Sequence, residues 1–142
     1  MESINPTQAA QVWQRVRGNP PEEQTLEKLL ALEAECRQIF HYLQRNTHLR
    51  DSRGLARLRE DSGRCYHILL GMASLRGLDV TVSAAPAVRG NPEGLLRQSC
   101  TTRQKSIALL EELPPGERAL LKPLMDAQLL CLLELLGSLP RK

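Results

Sequence analysis

The stretch LEKLLALEAECRQIFHYL, residues 26–43, decides how this chain folds. At about 100° per residue its apolar side chains share one face of a helix, which consists of Leu29, Leu32, Cys36, Ile39, Phe40 and Leu43. Glu33 lies on that same face, about 60° from its centre, whereas Glu35 points away from it. A carboxylate inside an apolar stripe requires a cation, a metal ion or a set of hydrogen-bond donors. The partner of Glu33 is therefore the first question that the sequence raises.

The composition favours an all-helical domain. The chain has 142 residues, of which 42% are hydrophobic and only 3% aromatic, so its core must consist of Leu, Ala, Val, Ile and Cys. Runs of β-branched residues are almost absent, with residues 80–83 as the exception. We therefore predict a single all-α domain over residues 1–142. The net charge of +3 is small and its basic residues are mixed with acids, so we expect no binding to nucleic acid.

No stretch of the sequence resembles a signal peptide or a membrane span. The most apolar run, residues 127–136, is short and contains Gln128 and Glu134. We therefore predict a cytoplasmic protein that does not enter a membrane. In that compartment the four cysteines are expected to be thiols rather than disulfides.

The breaks between periodic segments predict a short N-terminal helix and four longer ones. The short helix falls within residues 1–18, and the longer helices cover about residues 20–45, 52–75, 92–113 and 117–138. The segment 78–91 lacks helical periodicity and is long enough to cross from one end of a bundle to the other. We predict a four-helix bundle over residues 20–138, built from two helical hairpins and this long connection.

Each bundle helix carries one polar residue and one cysteine on or beside its apolar stripe. The polar residues are Glu33, Ser62, Arg103 and Gln128, and they fall at similar depth. The cysteines around them are Cys36, Cys65, Cys100 and Cys131, whereas the histidines lie off the stripes. We predict a buried Glu33–Arg103 ion pair between the first and third bundle helices, with Ser62 and Gln128 completing its hydrogen bonds.

Over about residues 26–136 this pattern resembles the ferritin-like bundles of the rubrerythrin type. In that family the first and third helices each supply a Glu followed seven residues later by a Tyr, the second and fourth each supply Glu-x-x-His, and together they hold two iron ions. The corresponding positions here are Glu33, Ser62, Cys65, Arg103, Gln128 and Cys131, with Phe40 and Leu110 in place of the tyrosines. Only Glu33 keeps the family's ligand. The resemblance therefore implies the fold without the four carboxylates of a di-iron centre, and argues against oxidase, peroxidase or iron-storage activity.

Our main functional prediction is a ferritin-like scaffold that has lost its metal ligands, holds no cofactor and serves as a non-catalytic structural or interaction protein. The fourth bundle helix is apolar nearly all round, more than one internal face requires. The N-terminal helix or a second chain could cover the excess, and we favour a homodimer.

The alternative prediction gives the cysteines a function. Cys65 and Cys131 take the two histidine positions of the family pattern, so they should lie close together across the bundle. With Glu33 and Cys36 they could bind zinc, copper or iron, or they could cycle as a dithiol. Against this, buried cysteine is a common small apolar residue, Arg103 would repel a cation, and no Cys-x-x-Cys motif occurs.

Overall fold

Four long helices make up most of residues 20–78 and 87–140, the part of the chain that the computed structural model describes. They are α1 (Pro20–Asn46), α2 (Arg53–Leu75), α3 (Pro92–Leu109) and α4 (Pro115–Ser138). Short 3₁₀ turns at His48–Asp51 and Leu110–Glu112 lie between α1 and α2 and between α3 and α4. Over these residues the predictions of an all-α architecture and of four long helices are confirmed. The predicted N-terminal helix and residues 79–86 of the long connection lie outside the described residues.

The helix ends follow their capping residues. Ser52 Oγ accepts a hydrogen bond from the backbone N–H of Leu55, and Asn91 Oδ1 accepts one from that of Gly94, at 3.2 and 2.7 Å. α4 begins at Pro115, slightly before the predicted start, because proline suits the first turn of a helix, where no N–H partner is needed. α3 ends earlier than predicted because its last turn tightens into 3₁₀ geometry. α2 stops before Gly77, as predicted, and this glycine has a left-handed φ of 68°.

Each helix packs mainly against two of the others. α1 and α4 both contact α2 and α3. Thr25 on α1 pairs with Glu112 in the 3₁₀ turn that follows α3, whereas Glu35 pairs with Gln98 near the start of α3, so α1 and α3 run antiparallel. Because α1 and α2 form an antiparallel hairpin, α2 and α3 must run parallel. The end of α2 and the start of α3 therefore lie at opposite ends of the four helices.

Two apolar clusters fill the interior, one toward each end. The cluster near the α1–α2 turn includes Phe40, Leu43, Leu58, Leu96 and Leu132. The cluster at the opposite end includes Leu26, Leu30, Leu69, Leu110 and Met125. On every helix at least one buried polar residue lies between the two clusters, so the middle of the core is a polar layer. Of the helices described here, none combines the length and the apolar character that a membrane span requires.

Candidate functional site

The polar layer contains one fully buried side chain from each helix. Glu33 on α1, Ser62 on α2, Arg103 on α3 and Gln128 on α4 each have 0% of their surface exposed. Each is positioned by the apolar residues one turn before and after it, which anchor the same face of its helix in the two clusters. The layer therefore sits in a water-excluded environment whose polar atoms must satisfy one another.

The geometry of the layer is that of a bidentate ion pair with two supporting side chains. Arg103 donates from Nη1 to Glu33 Oε1 at 2.9 Å and from Nη2 to Glu33 Oε2 at 2.8 Å. Arg103 Nη2 also donates to Gln128 Oε1 at 2.5 Å, and Ser62 Oγ donates to Glu33 Oε2 at 2.6 Å. These contacts confirm the predicted buried salt bridge. Among the described residues, Arg103 Nε is the one buried side-chain nitrogen or oxygen without a hydrogen-bond partner.

Arg103 stays cationic in this environment. Burial by itself lowers the pKa of the guanidinium, but the hydrogen bonds and the negative charge of Glu33 outweigh it and raise that pKa above its ordinary value. A group with so high a pKa neither gives nor takes a proton near neutral pH. Arg103 therefore acts as a fixed internal cation rather than as an acid–base catalyst.

Two thiols border the layer in their neutral form. Cys36 and Cys65 are both fully buried, and desolvation is the main reason why the pKa of each rises to about 12. The Glu33 carboxylate raises both pKa values further, while Arg103 lowers them. Cys65 Sγ accepts a hydrogen bond from Gln128 Nε2 at 3.4 Å. Because the thiolate is the nucleophile and the metal ligand, both groups are inert in this state.

The structure does not bring Cys131 together with Cys65. The Cys131 thiol donates to the backbone carbonyl of Gly54 at 3.4 Å. Gly54 precedes Cys65 by about three helical turns, ~16 Å along α2 at 1.5 Å per residue. Burial also raises the pKa of the half-buried Cys131 and that of Cys100, which lies in the cluster near the α1–α2 turn.

No metal-binding constellation forms within residues 20–78 and 87–140. No three His, Cys, Asp or Glu side chains there are placed to hold a metal ion. The set Glu33, Cys36, Cys65 and Cys131 is therefore not assembled. A di-iron centre does not fit the polar layer either, because the layer offers a single carboxylate and places the Arg103 guanidinium beside it.

Two polar clamps outside the layer were not identified from the sequence. Glu35 accepts hydrogen bonds from Gln98 and Thr102 at 2.8 and 3.3 Å, which joins α1 to α3 at the bundle surface. Arg76 joins the ends of three helices, since it pairs with Glu117 on α4 and with Glu22 on α1. The spacing of Glu35 indicates only that it leaves the apolar face, and Arg76 lies beyond the last helical residue of α2. Periodicity therefore carries no signal for either contact.

Comparison of the chain with protein-family models, with curated proteins and with solved structures gives no match. The interpretation of the polar layer therefore depends on its own residues and geometry.

Proposed function

We propose that this chain is a ferritin-like bundle of the rubrerythrin type in which the Glu33–Arg103 ion pair has replaced a di-iron centre. It acts as a non-catalytic scaffold, through its surface, in the cytoplasm. The observation that carries the proposal is the polar layer, in which four helices each contribute one buried polar residue at one level of the core. These are the positions at which the family resemblance expects carboxylate ligands.

The packing of the helices supports the ferritin-like part of the proposal. A simple up-and-down bundle joins successive antiparallel helices by short loops, whereas a ferritin-like bundle has one long crossover. In this chain α2 and α3 run parallel, and residues 76–91 connect them. α1 and α3 are direct neighbours, which is the arrangement that lets a residue of α1 and a residue of α3 share one site.

The charges of the layer support the loss of the metal. In a metal site the ion neutralises the buried carboxylates, whereas here the Arg103 guanidinium neutralises Glu33 with two parallel hydrogen bonds. A bound cation would have to displace or face this guanidinium. The pair also lacks a group that can change its charge or oxidation state, which supports a role without catalysis.

The cytoplasmic part of the proposal is supported by the thiols. Cys36, Cys65, Cys100 and Cys131 are all free. Free thiols persist in the reducing conditions of the cytoplasm, whereas secreted domains usually pair their cysteines.

Metal content after loading is the direct test. The protein would be purified anaerobically, incubated in turn with iron(II), zinc and copper(I), desalted and measured by mass spectrometry. We expect no stoichiometric metal. Two irons per chain would overturn the proposal. One zinc or copper that is lost in Cys65→Ser or Cys131→Ser would replace it with a thiolate site.

A restored variant tests the ferritin-like register itself. The substitutions Ser62→Glu, Cys65→His, Arg103→Glu, Gln128→Glu and Cys131→His rebuild the family's six-ligand set around Glu33. A folded variant that binds two irons supports the register, and a folded variant that binds none refutes it. Should five changes prevent folding, Arg103→Glu alone provides the test, because it places two carboxylates face to face. Divalent cations should then raise its melting temperature, as any ligand of the native state does.

A further inference from the structure

Within residues 20–78 and 87–140, the outer face of α4 is bare although it is strongly apolar. Among the described residues, four large apolar side chains are more than half exposed, and three of them belong to α4: Leu120 at 59%, Leu130 at 63% and Leu133 at 53%. The opposite face of α4 is buried through Leu121, Met125, Gln128, Leu132 and Leu135. α4 therefore has an exposed apolar face in addition to the one that the core uses.

The bare face has the spacing of a helix–helix seam. Its central residues recur at alternating intervals of four and three and are Gly116, Leu120, Pro123, Ala127, Leu130, Glu134 and Gly137. This is the a/d spacing by which one helix packs along another. We call these seven residues the outer seam. Glu134 is the single charged residue in it.

We propose that the outer seam is a homodimer interface, in which α4 packs antiparallel against α4 of a second copy about a two-fold axis. In an antiparallel seam each a position faces a d position. In the register centred near Met125, Leu120 of one copy then faces Leu130 of the other, and Pro123 faces Ala127. Each of the two leucines in the outer seam thus meets a leucine, and the small Ala127 at the middle lets the two backbones approach closely.

Charge complementarity favours the antiparallel register over the parallel one. The antiparallel register places Glu134 of one copy next to Gly116 of the other copy, in the first turn of that copy's α4. That turn is the positive end of the helix dipole, and its N–H groups lack partners within the helix. Glu117 in the same turn is already paired with Arg76. A parallel seam would instead oppose the two Glu134 carboxylates in an apolar interface.

The flanks of the seam are self-complementary in the same register. Leu133 faces Ala119 of the second copy, and Leu124 near the axis faces its own equivalent. Asp126 also lies beside the axis opposite its own equivalent, and its ion pair with Lys122 of the same helix, at 3.3 Å, offsets its charge at the edge of this contact. The interface therefore has an apolar centre and a polar edge, which is the usual anatomy of a protein–protein contact.

Sedimentation equilibrium on the full chain tests the interface. We expect a dimer in the wild type and a Kd for dimerisation at least ~100-fold weaker in Leu130→Glu, because a charge then faces Leu120 in a desolvated seam. Leu75→Glu is the matched control, since Leu75 on α2 is even more exposed, at 87%, and should leave the Kd unchanged. A monomeric wild type, or a dimer insensitive to Leu130→Glu, would overturn the proposal. A monomeric wild type that Leu130→Glu destabilises would also overturn the proposal, because another part of the same chain would then cover the outer face of α4.

Cross-linking tests the register. Asp126 lies beside the two-fold axis, so Asp126→Cys places two thiols within reach of each other across the dimer. Diamide should oxidise this pair to an intermolecular disulfide, and its N=N bond is reduced to a hydrazine by the two electrons and the two thiol protons. Ser74→Cys, at an exposed position on α2, is the control and should cross-link only by collision. Equal cross-linking rates for the two variants would refute the antiparallel α4 contact.

Discussion

Arg103→Met is the substitution whose effect depends most directly on the polar layer. It keeps an unbranched apolar side chain but removes the guanidinium, and with it both hydrogen bonds to Glu33 and the one to Gln128. The Glu33 carboxylate would remain fully buried with Ser62 as its single donor. Breaking a buried ion pair by removal of one partner costs about 3–5 kcal/mol, because the other charge is left uncompensated.

That cost is large for a domain of this size. The free energy of unfolding of a typical domain is about 5–15 kcal/mol, so Arg103→Met should remove between a fifth and all of it. With a shift of about 3 °C per kcal/mol, the melting temperature should fall by roughly 10–15 °C. Glu33→Leu should be similarly damaging, because it leaves the Arg103 guanidinium buried without its carboxylate.

Urea unfolding followed by circular dichroism at neutral pH measures these changes. The double variant Glu33→Leu/Arg103→Met should recover to within about 2 kcal/mol of the wild type, because apolar replacement of a whole buried pair is often neutral. Arg97→Met is the matched control: its ion pair with Glu93 has a similar N–O distance, 3.0 Å, but the two side chains are 69% and 62% exposed. It should cost less than about 1 kcal/mol. This account of the layer would be refuted if Arg103→Met lowered the free energy of unfolding by less than about 1 kcal/mol. It would also be refuted if the double variant lost the sum of the two single-variant losses.

Three further predictions follow from the thiols and the glycines. Between pH 9 and about 12 the unfolded chain loses the protons of Cys36 and Cys65 but the folded chain keeps them, because burial raises each pKa from 9.0 to about 12. The free energy of unfolding should therefore fall as the pH rises, by up to ~1.4 kcal/mol per unit for each thiol, and Cys36→Ala should flatten the slope in urea titrations. In native protein at mildly alkaline pH, Ellman's reagent should react fastest with the half-buried Cys131, and Cys131→Ser should abolish that fast phase. Gly71→Ala should stabilise α2 by about 0.5–1 kcal/mol in thermal melts, since its Cβ meets nothing within 4 Å. Gly54→Ala should lose that gain, since its Cβ would come within 3.1 Å of a leucine on α4.

Periodicity was sufficient to predict the helices and the depth of the polar residues. Leu29, Cys36 and Phe40 establish which face of α1 is buried, and Glu33 follows from the same spacing. Because an isolated buried carboxylate is costly, the inward-facing Arg103 was its natural partner. The ion pair could therefore be predicted before any contact was known.

The other contacts between side chains of different helices were harder to predict. The position of Cys131 depends on how far α2 and α4 slide along each other, and a residue's angle on its own helix does not fix that offset. The close approach of Gly54 to Leu135 contributes to the offset, yet an isolated glycine in a helical sequence indicates little more than a weak position. The Arg76 clamp depends on the meeting of three helix ends, which no local sequence pattern predicts.

The polar layer contributes more to the choice of helix partners than to stability. A core built mainly of leucine is poorly selective, because leucines pack acceptably in several registers and topologies. A shift or rotation of α1 against α3 would separate Glu33 from Arg103 and leave two buried charges unpaired, at a cost of several kcal/mol. Arrangements that lack this pairing are therefore excluded by energy rather than by shape. If this is correct, Glu33→Leu/Arg103→Met should keep much of its stability but lose its single conformation, seen as broadened or multiple amide resonances in NMR spectra. A double variant with one sharp set of resonances would show that apolar packing alone selects the register.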